Sequence, residues 1–352
     1  AELRRYPNFP KCLEVDAWQR PTKRFCFNNP DYRTWHLSIV EDYAKSYDLD
    51  GLAWCSERPG PLNILLQGPA RAEDISCFCP HCQTVARDRG IDVARAIAGY
   101  RALVDWNAAV STGSKPRDGA FVSFWRILLR YPEVLAWQTL WTESQRQLYR
   151  DIYGVAKACK PDIQVGWHVY HNLTFNPFYR ADQDYEELGK LSDFIKVVAY
   201  NNCAGPRFHA WIANACKSLF ADATPAEAYP LMLKLLQLDE GEYERLPQTG
   251  FSAEYVRRET ERAVIGVKGQ CRIYPGIDID IPTAAASSKS TPEGTKAAVL
   301  AAFRAGADGV LLSRKYSEMR LANLTAAGDA VRQLGLARRT RRSLPEGPAE
   351  TA

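Results

Sequence analysis

The sequence predicts an α/β protein built as a (β/α)8 barrel. Short apolar runs recur along the chain and alternate with stretches of helical period, the pattern of a parallel sheet covered by helices. Each run ends in polar or aromatic residues, which is where barrel strands present functional side chains. The length, 352 residues, suits one large α/β domain or two smaller ones.

Taken in order, 12–18 is the first strand-like run and ends on Asp16 and Trp18. Asn29-Pro30 opens a helix, with Asn29 as N-cap and Pro30 at the first helical position. The next strand is 51–57, a short apolar climb to Glu57 that breaks at once on Pro59 and Gly60. From 83 to 160 the pattern is helical and forms one long insertion between strands. Strands follow at 163–171, 194–200, 272–280 and 310–314, separated by helical stretches, with Thr291-Pro292 capping the last helix but one. Residues 336–352 have the composition of a disordered tail, so the domain is 1–335. A closed barrel needs eight strands and six are counted. The chain is therefore expected to lack the first two, with open edges at 12–17 and 310–313. No G-x-G-x-x-G follows a strand, which argues against a dinucleotide-binding sheet.

Composition narrows the function classes. Apolar content is 46% and charged content 24%, ordinary for a soluble globular chain. The net charge of +4 sits largely in the arginines of 338–342, so neither nucleic acid nor an anionic membrane is indicated. No apolar run reaches the length of a membrane span. Nine Trp and seventeen Tyr suit a carbohydrate cleft, although large barrels also bury many aromatics. The first residue is Ala1 and no signal peptide is visible.

Three of ten cysteines crowd into Cys77, Cys79 and Cys82. This C-x-C-x-x-C spacing brings three thiolates to one ion, and a structural zinc needs four soft ligands. Cys26, Cys55 and His81 compete for the fourth place. Thiolate ligands favour a reducing compartment, so a cytoplasmic location is expected.

Several segments together resemble the family-42 glycoside hydrolases, zinc-containing β-galactosidases of the clan A (β/α)8 enzymes. These are the 24–33 segment around Cys26, Asn28, Pro30 and Tyr32, then a strand ending in Glu57, then the cysteine cluster. A looser likeness, to uncharacterised bacterial glycoside-hydrolase-like and α-amylase-like barrels, extends over most of the chain. The resemblance implies a structural zinc on Cys26, Cys77, Cys79 and Cys82, and Glu57 as proton donor at the end of the fourth strand. Ser56 replaces the Asn that the family carries beside its acid. The seventh strand, expected to bring a nucleophilic Glu, carries Asp278 and Asp280, two apart and hence on one face.

The function expected is hydrolysis of a glycosidic bond, with retention, by a Glu57 acid/base and a nucleophile at Asp278 or Asp280. Asp16, Trp18, Trp54, His168, His171, Tyr200 and Asn201 are expected at strand ends against the sugar. Arg314 and Lys315 would place positive charge at the barrel mouth, to hold the nucleophile ionised or to meet an acidic sugar. Two other classes remain: a sugar isomerase or epimerase with a catalytic metal on His168, His171, Asp278 and Glu318, and a carbohydrate-binding barrel without turnover.

Overall fold

The computed structural model describes residues 8–55, 58–281, 289–313 and 318–336. The chain is mixed α/β around parallel strands. Gly51–Cys55, Gln164–Val169, Phe194–Val197 and Arg272–Ile273 pair in that order, all parallel. Gly276–Asp278 pairs in parallel with Leu311–Ser313. A parallel bridge from Val198 to Gly276 carries the ladder past Tyr274 and Pro275. Pro275 has no N–H to give, so the strand that begins at Arg272 is interrupted there. Counting its two pieces as one, five parallel strands run in chain order among the described residues. No described helix is long and apolar enough to cross a membrane.

The run 12–18 is not a sixth member. Leu13–Val15 folds back antiparallel on Pro21–Phe25, with Leu13 opposite Phe25. The reversal is an Asx turn: the Asp16 carboxylate accepts from the Trp18 and Arg20 amides at 2.8 and 2.9 Å, and Gln19 takes a left-handed φ of 63°. Val15 also accepts from the Phe78 amide, and Asp16 bridges Ser76, so the hairpin is bound to the cysteine loop instead of the parallel array. The edge expected at 12–17 therefore lies at Gly51–Cys55, among the described residues.

The helices start where their caps dictate. Asn29 accepts from the Tyr32 amide at the head of Pro30–Ser46, and Thr291 accepts from Gly294 at the head of Pro292–Arg304. Helices Pro80–Asp88, Val93–Ser111, Ala120–Arg130 and Glu133–Cys159 fill the stretch between the first two parallel strands. One face of the array packs on them. Trp167 stacks on Tyr149 of the long helix at 4.2 Å between ring centres and donates its indole N–H to Leu191 O. Alternate residues, His168 and Lys196, are in register on the other face. There the Phe194 ring occupies the space that Gly166 leaves, since a Cβ on Gly166 would lie 2.2 Å from it.

Asn201–Ala215, the helix after the third parallel strand, crosses the turn at Leu246–Thr249 very closely. A Cβ on Gly205 would lie 2.4 Å from Leu246 O and 2.6 Å from Gly250 Cα, both backbone atoms. Gly205→Ala should therefore push this helix outward and lower stability by about 1–3 kcal/mol. An unchanged denaturant midpoint would show that the crossing is looser than this.

Candidate functional site

Parallel strands deliver their C-terminal residues to one rim, and here the rim surrounds a cavity of about 1700 Å³. Its walls include His168, His171, Tyr200, Arg207, Trp211 and Ser313. The opposite wall is the turn after helix Pro61–Leu66, with Gln67 and Gly68. Gly68 has φ 145° and a Cβ there would meet Asn214 Cβ at 2.7 Å, so only glycine lets this turn close on the Asn201–Ala215 helix.

The deepest polar group of the cavity is a chain of hydrogen bonds through His171, which is 1% exposed. Thr174 Oγ1 donates to His171 O at 2.7 Å and so accepts from Tyr255 Oη at 2.6 Å. Tyr255 Oη, its proton thus committed, accepts from His171 Nε2 at 3.1 Å. The remaining nitrogen, Nδ1, accepts from Arg207 Nη1 at 2.7 Å. This assignment follows from the partners each group has. Burial, and then the nearby Arg207 charge, hold the imidazole well below its ordinary pKa, so it is neutral. Beside it, Lys196 Nζ donates to Tyr200 Oη and Ser313 Oγ, both at 3.0 Å.

Of the residues expected in the cleft, the structure brings His168, His171 and Tyr200 to the cavity wall. Trp54 is on the helix-facing side, 5.2 Å from the His36 ring and 6.4 Å from the Tyr43 ring. Asp16 and Trp18 belong to the hairpin turn, where Trp18 lies between the Arg20 and Arg101 guanidinium groups. Asn201 heads its helix and gives its amide to Phe251 O at 3.2 Å, away from the cavity wall. Glu57, Arg314 and Lys315 lie outside the described residues.

Asp278 and Asp280 both line a small cavity of about 300 Å³ beside the large one, but they are held by different partners. Asp278 is 1% exposed and accepts from Cys203 N at 3.0 Å and from Asn202 Nδ2 at 3.2 Å, at the positive end of the Asn201–Ala215 helix. Burial raises its pKa and these donors oppose the rise. Asp280 has a left-handed φ of 54°, which breaks strand alternation and turns its carboxylate to Arg320 and Asn323. The Arg320 guanidinium and amide outweigh desolvation and hold that carboxyl below its ordinary pKa.

The chain on either side of Glu57 is firmly held. Cys55, two residues before it, is in register with His168. Arg58, immediately after it, forms an ion pair with Glu14, which is 1% exposed, and donates to Phe25 O at 2.9 Å. Leu62 N donates to Gln138 Oε1 at 3.0 Å, and the Gln138 and Asn63 amides both donate to Asp182.

Cys26, Cys77, Cys79 and Cys82 are all buried, and their sulfur atoms lie within 4.8 Å of one another. Cys26 is 3.5 Å from both Cys82 and Cys79. The cluster accepts N–H bonds from the Asn28 amide and side chain and from Cys79 N. Four soft donors with N–H support around them fit one thiophilic metal ion in a closed shell. Cys55, by contrast, is exposed at its strand end.

Arg207, Gln67, Trp211 and Lys196 were not singled out from sequence. Arg207 lies two turns into a helix, beyond the strand ends where parallel barrels carry functional residues. Lys196 lies inside a strand, where an alternating Phe-Ile-Lys-Val signals only one polar face.

No known protein family matches the sequence, nor does any curated protein. Among solved structures, the chain is similar to the β-galactosidase from the psychrophilic Marinomonas ef1, with TM-score 0.52 and 13% identity over 95% of this chain and 48% of that one. It is also similar to the β-galactosidase from the Antarctic haloarchaeon Halorubrum lacusprofundi, with TM-score 0.51 and 14% identity over 96% and 47%. The chain thus spans about half the length of these proteins. They share its mixed α/β fold with a parallel sheet, and they are of the class that the sequence segments around Cys26 and Glu57 resemble.

Purified protein should carry about one thiophilic metal ion per chain by elemental analysis. Cys79→Ser should lose the ion and unfold at lower denaturant, because site binding is also folding free energy. Metal-free protein of unchanged stability would rule the site out. A pH effect comes from Asp182, whose carboxyl is pushed up to about 6 by burial despite its two amide donors. A raised carboxyl favours the folded state while protonated. Its contribution is complete below about pH 4 and is lost as pH rises through about 6. Relative to Asp182→Asn, the parent should lose about 1–2 kcal/mol of stability across that window. Parallel pH profiles for the two would refute the buried charge.

Proposed function

We propose that the chain is part of a (β/α)8 glycoside hydrolase, its five parallel strands taking the places of barrel strands four to eight. Glu57 is the general acid/base and Asp278 the nucleophile. One observation carries this. The large cavity sits at the strand C-terminal ends, rimmed by His168, in register with the strand that leads to Glu57, and by Ser313, whose register partner Asp278 lines the small cavity beside it. A glycosidic oxygen leaves only when protonated, while the second carboxylate must stay ionised to attack the anomeric carbon. The backbone N–H of Cys203 and the Asn202 amide favour the ionised form of Asp278 against its burial. Asp280, committed to Arg320 and Asn323, is a positioning residue that ties the strand end to the start of the helix at Leu321–Gln333. Retention requires the two carboxyl groups to lie roughly 5–5.5 Å apart.

The metal at the cysteine cluster is zinc in this proposal. Four thiolates leave it no open position for water, so its role is structural. It fastens the hairpin to the loop after Glu57 and steadies the acid. His168, His171, Asp278 and Glu318 would serve an isomerase metal poorly. Both ring nitrogens of His171 are engaged, and among the described residues the four make no metal-ligand group.

A screen of aryl glycosides on the full-length protein tests the proposal. Glu57→Gln and Asp278→Asn should each lower kcat by about 10²–10⁴ on any substrate cleaved, with circular dichroism unchanged. Near-normal turnover in both variants overturns the assignment. Sugar binding without turnover of any glycoside would make the protein a non-catalytic binder.

A further inference from the structure

We infer that the cavity recognises an acidic sugar and that Arg207 receives its anionic group, a ring carboxylate or a sulfate ester. This deepens the hydrolase proposal and rests on it for the sugar.

The first observation is how Arg207 is held. An arginine fixed by a carboxylate is oriented and neutralised together. Here the partner is the neutral Nδ1 of His171, at 2.7 Å, and Arg207 makes no ion pair among the described residues. Every proton in the His171, Tyr255 and Thr174 chain is committed, so the imidazole has only a lone pair to offer the guanidinium. The guanidinium is thereby aimed while its charge is kept, and the planar fork is suited to two oxygens of one anion.

The second observation is the balance of donors and acceptors in the wall. The described lining contains no Asp or Glu. Two lining residues have buried nitrogen donors with no protein acceptor, Gln67 Nε2 and Trp211 Nε1. Gln67 Oε1 is already used, by Asn172 Nδ2 at 3.4 Å. No described lining residue has a buried acceptor that lacks a donor. Both nitrogens are closed off from solvent, so they add to the donor-rich character of the wall and are not themselves ligand contacts.

The third is Lys196. Its ammonium lies behind Tyr200 and Ser313 and donates to both hydroxyls. Each hydroxyl thus accepts from a cation and turns its own proton outward as a donor. Lys196 likewise has no carboxylate partner among the described residues. Apart from the two carboxylates assigned to catalysis, the described wall presents donors and two cations, Arg207 and Lys196, without carboxylate partners, which complements an oxyanion better than a neutral ring. The aromatic faces of Tyr170 and Trp211 in the same cavity suit the ring that carries it.

The test is equilibrium binding to the full-length protein by calorimetry, with methyl galacturonide, methyl galactoside 6-sulfate and methyl galactoside as probes. One or both anionic sugars should bind about tenfold or more tightly than the neutral one, an advantage that shrinks with added salt. Arg207→Gln should abolish the advantage and Arg207→Lys retain part of it. The two anionic arms separate carboxylate from sulfate. Equal affinity for all three probes, no binding of either anionic probe, or an advantage that survives Arg207→Gln each overturns the inference. Binding needs no turnover. Acidic-sugar binding without hydrolysis therefore sinks the hydrolase proposal alone, and hydrolysis of neutral glycosides undisturbed by Arg207→Gln sinks this one alone.

Discussion

Much of the site depends on one buried ion pair, Arg58 with Glu14. Glu14 is 1% exposed, and it also accepts from Ser76 Oγ at 2.7 Å. Arg58 lies over the Phe27 ring at 4.3 Å and near Trp141 at 5.9 Å. Burial pulls the guanidinium down to about 10, and the neighbouring Cys77 and Cys82 sulfurs pull it back up. It is cationic at neutral pH. Leaving one partner of such a pair buried alone typically costs about 3–5 kcal/mol, so neither group can leave by itself. The pair joins three pieces of distant sequence: the hairpin, the cysteine loop through Ser76, and the residue that follows Glu57. Arg58 is thereby tied to the cysteine cluster.

The other wall is built by a different device. There a neutral histidine holds Arg207 and hydroxyls hold Lys196, with no carboxylate on either among the described residues. Both arrangements stand on packing. Gly205 and Gly68 allow the Asn201–Ala215 helix to lie close to its neighbours, which sets Arg207 at the rim. The same helix offers its first amides to Asp278. One helix thus positions a carboxylate at its start and a guanidinium two turns later.

Several features were legible in sequence because they are local. The Asn29 and Thr291 caps act on amides three residues away, so a short motif suffices. The parallel strands announce themselves as apolar runs because both faces are covered. The run 12–18 resembles a strand end for the same reason that such motifs work. Asp16 and Trp18 look like a polar strand end, yet an Asx turn uses the same residue types. Asp278 and Asp280 show the limit of periodicity, since one left-handed residue sends two apparently paired carboxylates to different partners.

By itself, the sequence determined the class of fold, the helix starts, the cysteine cluster with Cys26 as the resemblance implied, and Asp278 at the end of its strand. All of these rest on residue type, spacing or chain order. Tertiary structure alone decided that the hairpin belongs to the cysteine loop, that Trp54 faces the helices, and that Arg207 and Lys196 meet no carboxylate among the described residues. These depend on which side chains meet across 36 residues from His171 to Arg207 and 117 from Lys196 to Ser313. Charge compensation is a property of three-dimensional neighbours, and no spacing rule encodes it.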